Sequence, residues 1–156
     1  MTPAVTLLNK RRVTFELLEY HHDASCQAFG MEAVEKLSLP ASQVFKTLVT
    51  ELDNGSLAVA LIPVTARLSL KKMAKACGVK KATMADPAKV TAATGYIMGG
   101  VSPLGQKKQL TTVIDVSAVG YTVCYVSGGR RGLEIAISPQ DLMSLSKAKA
   151  APVTET

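Results

Sequence analysis

Two features of this sequence are suited to chemistry: a glycine-rich stretch at 95–105, and a lysine within an apolar run at 44–49. The stretch holds four glycines, a proline and a serine in eleven residues, a content that excludes a regular helix. Backbone groups of glycine can approach a ligand closely, although a tight turn required by packing explains the same residues equally well. We expect the larger apolar side chains of the stretch to be buried, namely Tyr96, Ile97, Met98, Val101 and Leu104.

The lysine of the second feature, Lys46, has apolar neighbours on both sides. Strand periodicity places it on the same face as Val44 and Leu48, with Phe45 and Val49 on the opposite face, so that both faces are expected to be buried. Such a lysine is either a gatekeeper at a sheet edge or a cation held in a pocket. Because lysine is seldom fully buried, the residues alone favour the edge.

A second glycine-rich turn, at 127–132, connects two predicted strands. Arg130 and Arg131 follow its first glycines, as Lys107 and Lys108 follow the stretch at 95–105. Glycine N–H groups beside basic side chains can bind phosphate or carboxylate, so the two turns are compatible with an RNA end held in a pocket. A simple hairpin with solvated charges explains the pattern as well.

No metal site and no self-contained catalytic set is predicted. His21 and His22 are the only histidines, and no further ligand lies at a familiar spacing, so we expect neither a metal nor a cofactor. Ser102 and Ser127 have no histidine that their spacing would assign as a base, and the GxSxG, P-loop and HExxH motifs do not occur.

Composition limits the class of protein. The 156 residues carry a net charge of +6, which permits contact with phosphate, but only 4% are aromatic, which argues against a broad stacking platform for single strands. Cys26, Cys77 and Cys124 form no CxxC pair and indicate a reducing compartment. Because no signal peptide and no membrane-spanning run is found, we expect a soluble cytoplasmic protein without membrane contact.

The elements that must position these residues are predicted as five helices and seven strands. Thr2, Ser69, Asp86 and Ser138 are N-cap candidates, and the remaining helix contains Met31. The predicted strands span 14–20, 44–52, 57–62, 80–85, 110–116, 121–127 and 133–137. Their order lacks strict β-α-β alternation, which predicts one α+β domain with a mixed sheet over 1–149, followed by a frayed tail at 150–156.

Several segments together resemble the YbaK-type bacterial Cys-tRNA(Pro) deacylases, which are relatives of the editing domain of prolyl-tRNA synthetases. The resemblance extends over residues 1–149 and includes the opening TPAV at 2–5. Its most specific segments occur in the family's order and are VFKTL (44–48), MADP (84–87), TGY (94–96), GGVSPLGQKK (99–108), VSGG (126–129) and RGL (131–133).

The resemblance implies a single α+β domain whose mixed sheet curls into a partly open barrel flanked by helices. It implies a hydrolase that releases cysteine wrongly attached to tRNA(Pro), without a metal or cofactor. In this family the cysteine thiol of the substrate is thought to attack its own aminoacyl carbonyl, which forms a thiolactone and frees the tRNA. Such a mechanism needs no protein nucleophile.

The resemblance also assigns roles to residues. It makes Lys46 a pocket cation that holds the terminal ribose or phosphate and orients the ester. Gly99, with Gly100, would present backbone groups to the aminoacyl moiety, an arrangement suited to stabilising an oxyanion. Tyr20 and Phe29 match positions that line the pocket.

Two further family positions bind the substrate. Ser127 matches a polar contact. Glu134 stands where the best-known members have aspartate, so its carboxylate reaches one methylene further toward the substrate amine or ribose. Its alternation with Leu133 and Ile135 also allows a surface strand residue.

Other functions stay open. Related domains hydrolyse Ala-tRNA(Pro) with an equivalent lysine, and a non-catalytic module that binds charged tRNA ends or a synthetase would suit the same charge. A domain of this size can grip little of tRNA beyond the acceptor end. We therefore expect a partner that adds tRNA specificity, and the resemblance implies that this partner is prolyl-tRNA synthetase.

Overall fold

The computed structural model describes residues 1–26 and 29–156, and of Phe29 the backbone only. The described α-helices are α1 (Pro3–Arg11), α2 (Phe29–Leu37), α3 (Leu70–Ala76), α4 (Pro87–Thr94) and α5 (Pro139–Ser146). The described strands are β1 (Glu16–Glu19), β2 (Phe45–Leu52), β3 (Leu57–Pro63), β4 (Ala82–Met84), β5 (Thr111–Asp115), β6 (Cys124–Ser127), β7 (Leu133–Ile137) and β8 (Lys149–Ala151). Within these ranges, no helix has the length and apolar character needed to cross a membrane.

The strands form two sheets, which confirms the predicted α+β fold. One sheet is antiparallel with the order β1-β7-β6, and the other is mixed with the order β4-β2-β3-β5-β8. In the mixed sheet β5 is parallel to both β3 and β8. A parallel bridge between Val44 and Tyr125 links the two sheets. Among the described residues, the two sheets do not close into a barrel.

Four helices begin at the predicted caps. Each cap side chain accepts a hydrogen bond from a backbone N–H two or three residues ahead, over distances of 3.0–3.3 Å. In three of the helices the next residue is proline, whose fixed φ suits the first helical turn. The four cap residues are Thr2, Ser69, Asp86 and Ser138.

The β2–β3 hairpin fixes the position of Lys46. A turn at 53–56 contains Gly55 at φ +87° and sets a register that pairs Lys46 with Ile62. On the other side of β2, β4 pairs only from Thr50 to Leu52. The part of β2 that carries Lys46 therefore has no ladder partner on that side among the described residues, and it lies at an open edge.

The mixed sheet separates two apolar clusters. On one face Phe45, Val49 and Leu61 pack with Leu8 of α1 and with β6 and β7. On the other face Leu52, Ala58 and Ile62 pack with Met73 of α3. Helices α1 and α3 therefore cover opposite faces of this sheet.

The expected frayed tail at 150–156 is wrong. Lys149–Ala151 forms β8 beside β5, and Val153 is fully buried and donates its N–H to Asp115 Oδ1 at 3.1 Å. Thr154 bridges to Leu68. The reason is that a short apolar alternation ending in Val153 completes the cluster under α3, where burial outweighs the usual fraying of chain ends.

The stretch at 95–105 is irregular, as predicted, but only part of it is buried. Tyr96 and Leu104 are 3% and 1% exposed, and the Tyr96 hydroxyl donates to the Leu104 carbonyl at 2.6 Å. Ile97 and Met98, expected to be buried, are 64% and 47% exposed. They lie in a turn in which the Gly100 N–H donates to the Ile97 carbonyl at 3.0 Å, and this turn directs both side chains outward.

Candidate active site

A pocket of about 330 Å³ lies where the two sheets meet. Its walls come from the β1–α2 connection, the start of α2, β2, the residue that follows β3, the stretch at 95–105 and the β6–β7 hairpin. Five residues predicted from the sequence line it together: Tyr20, Lys46, Gly99, Ser127 and Glu134. The side chain of Phe29 lies outside the described residues, although the next two residues of α2, Gly30 and Met31, line the pocket.

Lys46 is half-buried in this pocket. Burial lowers the pKa of its ammonium, and the positive charge of Arg67 lowers it further. In the described part of the chain, no carboxylate lies within 4.0 Å of its Nζ. Lys46 therefore lies both at the open edge of β2 and in the pocket, so the edge position and the pocket position predicted as alternatives are the same position.

Glu134 lies in β7, the middle strand of its sheet, opposite Leu18 on one side and Ser127 on the other. It is only 7% exposed, so the alternative of a surface strand residue is wrong. Its Oε2 atom has no hydrogen-bond partner among the described residues. Burial raises the pKa of this carboxyl to about 8. The site thus holds a carboxyl that would ionise readily if a cation were placed beside it.

The two glycines of the stretch have different positions. Gly99, at φ +88°, lines the pocket, and its N–H has no acceptor among residues 1–26 and 29–156. Gly100 is buried outside the pocket lining and donates its N–H to Ile97. A Cβ built on Gly100 would lie 2.9 Å from the Arg130 Cα. Gly100 therefore has a packing role, and of the two glycines only Gly99 lines the pocket.

The two glycine-rich turns, identified separately in the sequence, pack against each other. A Cβ on Gly129 would lie 2.8 Å from the ring of Tyr96, and the Arg131 guanidinium donates to the Met98 carbonyl at 2.8 Å. The hairpin prediction for the second turn is confirmed. Of the two basic pairs, only the second reaches the pocket, through Arg130.

A buried carboxylate anchors the wall contributed by α2. Glu32 accepts hydrogen bonds from His22 Nδ1 at 2.7 Å and from the Asp23 N–H at 2.8 Å, and Lys36 lies 3.2 Å away. Burial alone would raise the pKa of Glu32, but these partners outweigh it and lower the pKa to about 2. The contact between His22 and Glu32 therefore joins the β1–α2 connection to helix α2, which also carries the pocket residues Gly30 and Met31.

Residues 27–145 match the family described as the aminoacyl-tRNA editing domain. The chain belongs to this family.

Two named relatives and one solved structure illustrate the similarity. A protein of Enterococcus faecalis, named "Putative Cys-tRNA(Pro)/Cys-tRNA(Cys) deacylase EbsC", is 38% identical over 98% of this chain and 93% of its own length. The uncharacterized protein YwhH of Bacillus subtilis is 26% identical over 76% of this chain and 74% of its own. A crystal structure described as "a putative trans-editing enzyme for prolyl tRNA synthetase" superposes with a TM-score of 0.85 at 25% identity, over 99% of this chain and 96% of that one.

The editing domain also brings to its pocket Thr47, which the sequence analysis did not single out, and Arg130, which the second glycine-rich turn had indicated. Thr47 lines the pocket, and its buried Oγ1 atom has no hydrogen-bond partner among the described residues. Arg130 lies at the rim, with its guanidinium 3.6 Å from Glu19. Strand alternation places Thr47 on the same face of β2 as Phe45 and Val49. The signal that could have identified it is a hydroxyl in an apolar run, since such a group needs a partner when it is buried.

Proposed function

We propose that this editing domain hydrolyses the ester of mischarged Cys-tRNA(Pro). An aminoacyl-tRNA deacylase is an ester hydrolase whose substrate is the charged 3′ end of tRNA, and the chain's family establishes this general activity. The name of the Enterococcus faecalis relative supports cysteine as the amino acid and tRNA(Pro) as one carrier.

The main support for this proposal is the set of side chains that line the pocket. It combines the Lys46 ammonium with the buried Glu134 carboxyl, and among its described lining residues there is no histidine or cysteine. Ser127 lies opposite Glu134 in the ladder, but no hydrogen bond joins the two side chains, and Ser127 Oγ instead accepts from the Gly129 N–H at 3.2 Å. A nucleophile activated by a base is therefore not assembled in the described pocket, and the reacting group must come from the substrate or from water.

In the proposed reaction the cysteine thiol of the substrate supplies that group. Its sulfur bonds to the aminoacyl carbonyl carbon, the bond from that carbon to the ribose oxygen breaks, and the thiol proton ends on the ribose oxygen. Water then opens the resulting thiolactone to free cysteine. The domain contributes position and charge and enters no covalent intermediate.

Each pocket group has a role in this scheme. Lys46 holds the terminal ribose or phosphate and orients the ester. The Gly99 N–H, which has no acceptor among the described residues, stabilises the oxyanion that develops on the carbonyl oxygen. Glu134 binds the α-ammonium, whose charge favours ionisation of a carboxyl held neutral by burial. Tyr20 closes the wall beside Glu134, and its own pKa is raised by burial.

A second candidate is the hydrolysis of Ala-tRNA(Pro). The observation that favours it is the apolar part of the wall, where Val44, Val64 and Met31 would accept a methyl group as well as a thiol. In that reaction water must attack directly, since alanine has no nucleophile.

The test is single-turnover hydrolysis of tRNA(Pro) charged in turn with cysteine, serine and alanine. Rapid release of cysteine alone is expected. Preferential release of alanine would replace the thiol-assisted scheme by direct attack of water, and release of neither would leave a module that binds charged tRNA without cleaving it.

We also propose prolyl-tRNA synthetase as a partner that supplies tRNA specificity. The described crystal structure supports this, because its name associates a protein of the same fold with that synthetase. If the isolated domain already rejected Cys-tRNA(Cys) strongly in favour of Cys-tRNA(Pro), the partner would be unnecessary.

A further inference from the structure

The net charge of the chain is concentrated in one segment. Residues 54–85 contain no aspartate or glutamate, and the rest of the chain is balanced, with twelve basic and twelve acidic residues. The net charge of +6 is therefore located on six residues, here called the basic face: Arg67, Lys71, Lys72, Lys75, Lys80 and Lys81.

The fold turns these side chains toward solvent. Helix α3 buries Met73 against the mixed sheet and leaves Lys71 and Lys75 exposed. Lys80 and Lys81, in the connection between α3 and β4, are exposed as well. The basic face is therefore formed by helix α3 and by the turns that precede and follow it.

The C-terminal segment holds the basic face in place. The Glu155 N–H donates to the Arg67 carbonyl at 2.9 Å, and Lys72 Nζ donates to the Thr154 carbonyl at 2.8 Å. Because these contacts are made by the residues that directly follow the buried Val153, the cations are presented by a fixed surface and not by a loose loop.

The cations of the basic face are not neutralised within the described structure. No carboxylate oxygen among residues 1–26 and 29–156 lies within 4.0 Å of any of them. Asp53 and Glu155 are brought nearby through backbone contacts to Lys81 and Arg67, but neither side chain forms an ion pair there. Lys149, which donates to the Ala76 carbonyl, adds a further positive charge. Such a surface attracts a polyanion.

The basic face is on the same side of the mixed sheet as the pocket lysine. Leu48 and Leu52 lie two and six positions after Lys46, on the same face of β2, and both pack in the cluster beneath α3. Arg67 is close enough for its charge to act on Lys46. An anion held at Lys46 can therefore continue past Arg67 onto α3.

We propose that the basic face binds the phosphate backbone of the tRNA acceptor stem as it leaves the pocket. It would contribute affinity for tRNA and no part of the ester chemistry. The proposal rests on the proposed function in one respect: that function identifies tRNA as the RNA whose end fills the pocket. Each lysine that meets a phosphate releases counterions, so this contribution falls with salt concentration.

The experiment measures binding of an uncharged tRNA(Pro) transcript by fluorescence anisotropy between about 50 and 200 mM salt. Over this range, affinity that depends on phosphate contacts falls steeply. The variant Lys71→Gln/Lys75→Gln removes two charges from the basic face. The matched control is Lys10→Gln/Arg11→Gln, which removes two exposed charges, also without carboxylate partners among the described residues, from α1 on the opposite face of the sheet.

For the α3 variant we expect about tenfold weaker binding at low salt and a slope of log affinity against log salt that is smaller by about 1.8, since each duplex phosphate contact contributes about 0.9. The control should keep the slope of the wild type. Equal changes in both variants, or none in the α3 variant, would overturn the proposal, and in the latter case an acidic protein surface would be the occupant to test.

A second readout separates this proposal from the proposed function. Cysteinyl-adenosine lacks the stem, so the α3 variant should hydrolyse it at the wild-type rate, and a slower rate would contradict a role confined to binding. If the wild type cleaved neither cysteinyl-adenosine nor Cys-tRNA(Pro), the proposed function would fail, while the salt dependence of binding would still decide whether the basic face binds RNA.

Discussion

Lys46 and Glu134 line the same pocket without forming an ion pair: in the described structure their charged atoms are more than 4.0 Å apart. Burial acts on both, lowering the pKa of the lysine and raising that of the glutamate to about 8. The space between them suits a group that is electron-rich at one end and cationic at the other. An aminoacyl ester with its ribose and its α-ammonium has this distribution.

Glu134→Gln is expected to stabilise the fold relative to the wild type by an amount that grows from about pH 4.5 to about pH 8 and is complete above it. Burial raises the pKa of Glu134 from 4.5 to about 8. Between these values the unfolded chain ionises this carboxyl while the folded chain keeps it protonated, so the free energy of unfolding falls as the pH rises through this window. Each unit of pKa shift corresponds to about 1.4 kcal/mol.

Urea unfolding at pH 5, 7 and 9 measures this effect. The difference between the variant and the wild type should grow with pH, whereas Glu16→Gln, at an exposed position on β1, should show no such trend. Parallel pH profiles for the wild type and Glu134→Gln would show that Glu134 is not held protonated.

Thr47→Val is expected to raise stability and lower activity. The buried Thr47 hydroxyl has no partner among the described residues, so replacing it with a methyl of similar size should stabilise by about 1 kcal/mol. If the hydroxyl binds the substrate, the rate of hydrolysis falls several-fold. The matched control is Thr50→Val, which should destabilise, because the Thr50 hydroxyl donates to the Ala58 carbonyl at 2.9 Å. Destabilisation by both changes would indicate that Thr47 has a partner of its own.

Gly100→Ala is expected to destabilise by about 1–3 kcal/mol, as overpacking does. Its Cβ would meet the Arg130 backbone, which cannot move without shifting the hairpin that carries Ser127. The activity should fall as well, because the neighbouring Gly99 would move. Gly120→Ala is the control, since a Cβ there meets nothing within 4 Å and the φ of Gly120 is not positive. Equal thermal unfolding of the two variants would refute the packing role of Gly100.

Ser127→Ala is expected to keep the single-turnover rate within about tenfold of the wild type. Removing a true serine nucleophile costs about a millionfold. The modest loss expected here reflects the hydrogen bond from the Gly129 N–H to Ser127 Oγ, which shapes the turn. A loss approaching the larger value would assign Ser127 a covalent role.

The sequence predicted those parts of the fold that depend on local chemistry. The caps at Thr2, Ser69, Asp86 and Ser138 were predictable because a side-chain oxygen before a first helical turn satisfies free N–H groups regardless of tertiary contacts. The hairpin after Leu52 followed from its turn residues for the same reason.

The predictions that were wrong or left open concern tertiary contacts. Val153 was assigned to a frayed tail because nothing local to it reveals the cluster under α3 that it completes. Glu134 could be taken for a surface residue, since alternation does not show that β7 is a middle strand. The sequence also did not show which of Gly99 and Gly100 keeps an N–H that is free within the described structure. That depends on which of the two donates a hydrogen bond to the Ile97 carbonyl, and the structure shows that Gly100 does.

In the proposed function, the pocket acts through the charge of Lys46 on a substrate that supplies its own nucleophile. The most direct measurement is single-turnover hydrolysis of Cys-tRNA(Pro) by the wild type, by Lys46→Ala and by Lys89→Ala, which removes an exposed lysine that pairs with Glu51 at 2.9 Å. Circular dichroism should show all three folded. We predict a loss of about 100-fold or more for Lys46→Ala, the size expected when a group that stabilises the transition state is removed, and little change for Lys89→Ala. Wild-type rates in a folded Lys46→Ala variant would show that the charge of Lys46 has no part in the hydrolysis.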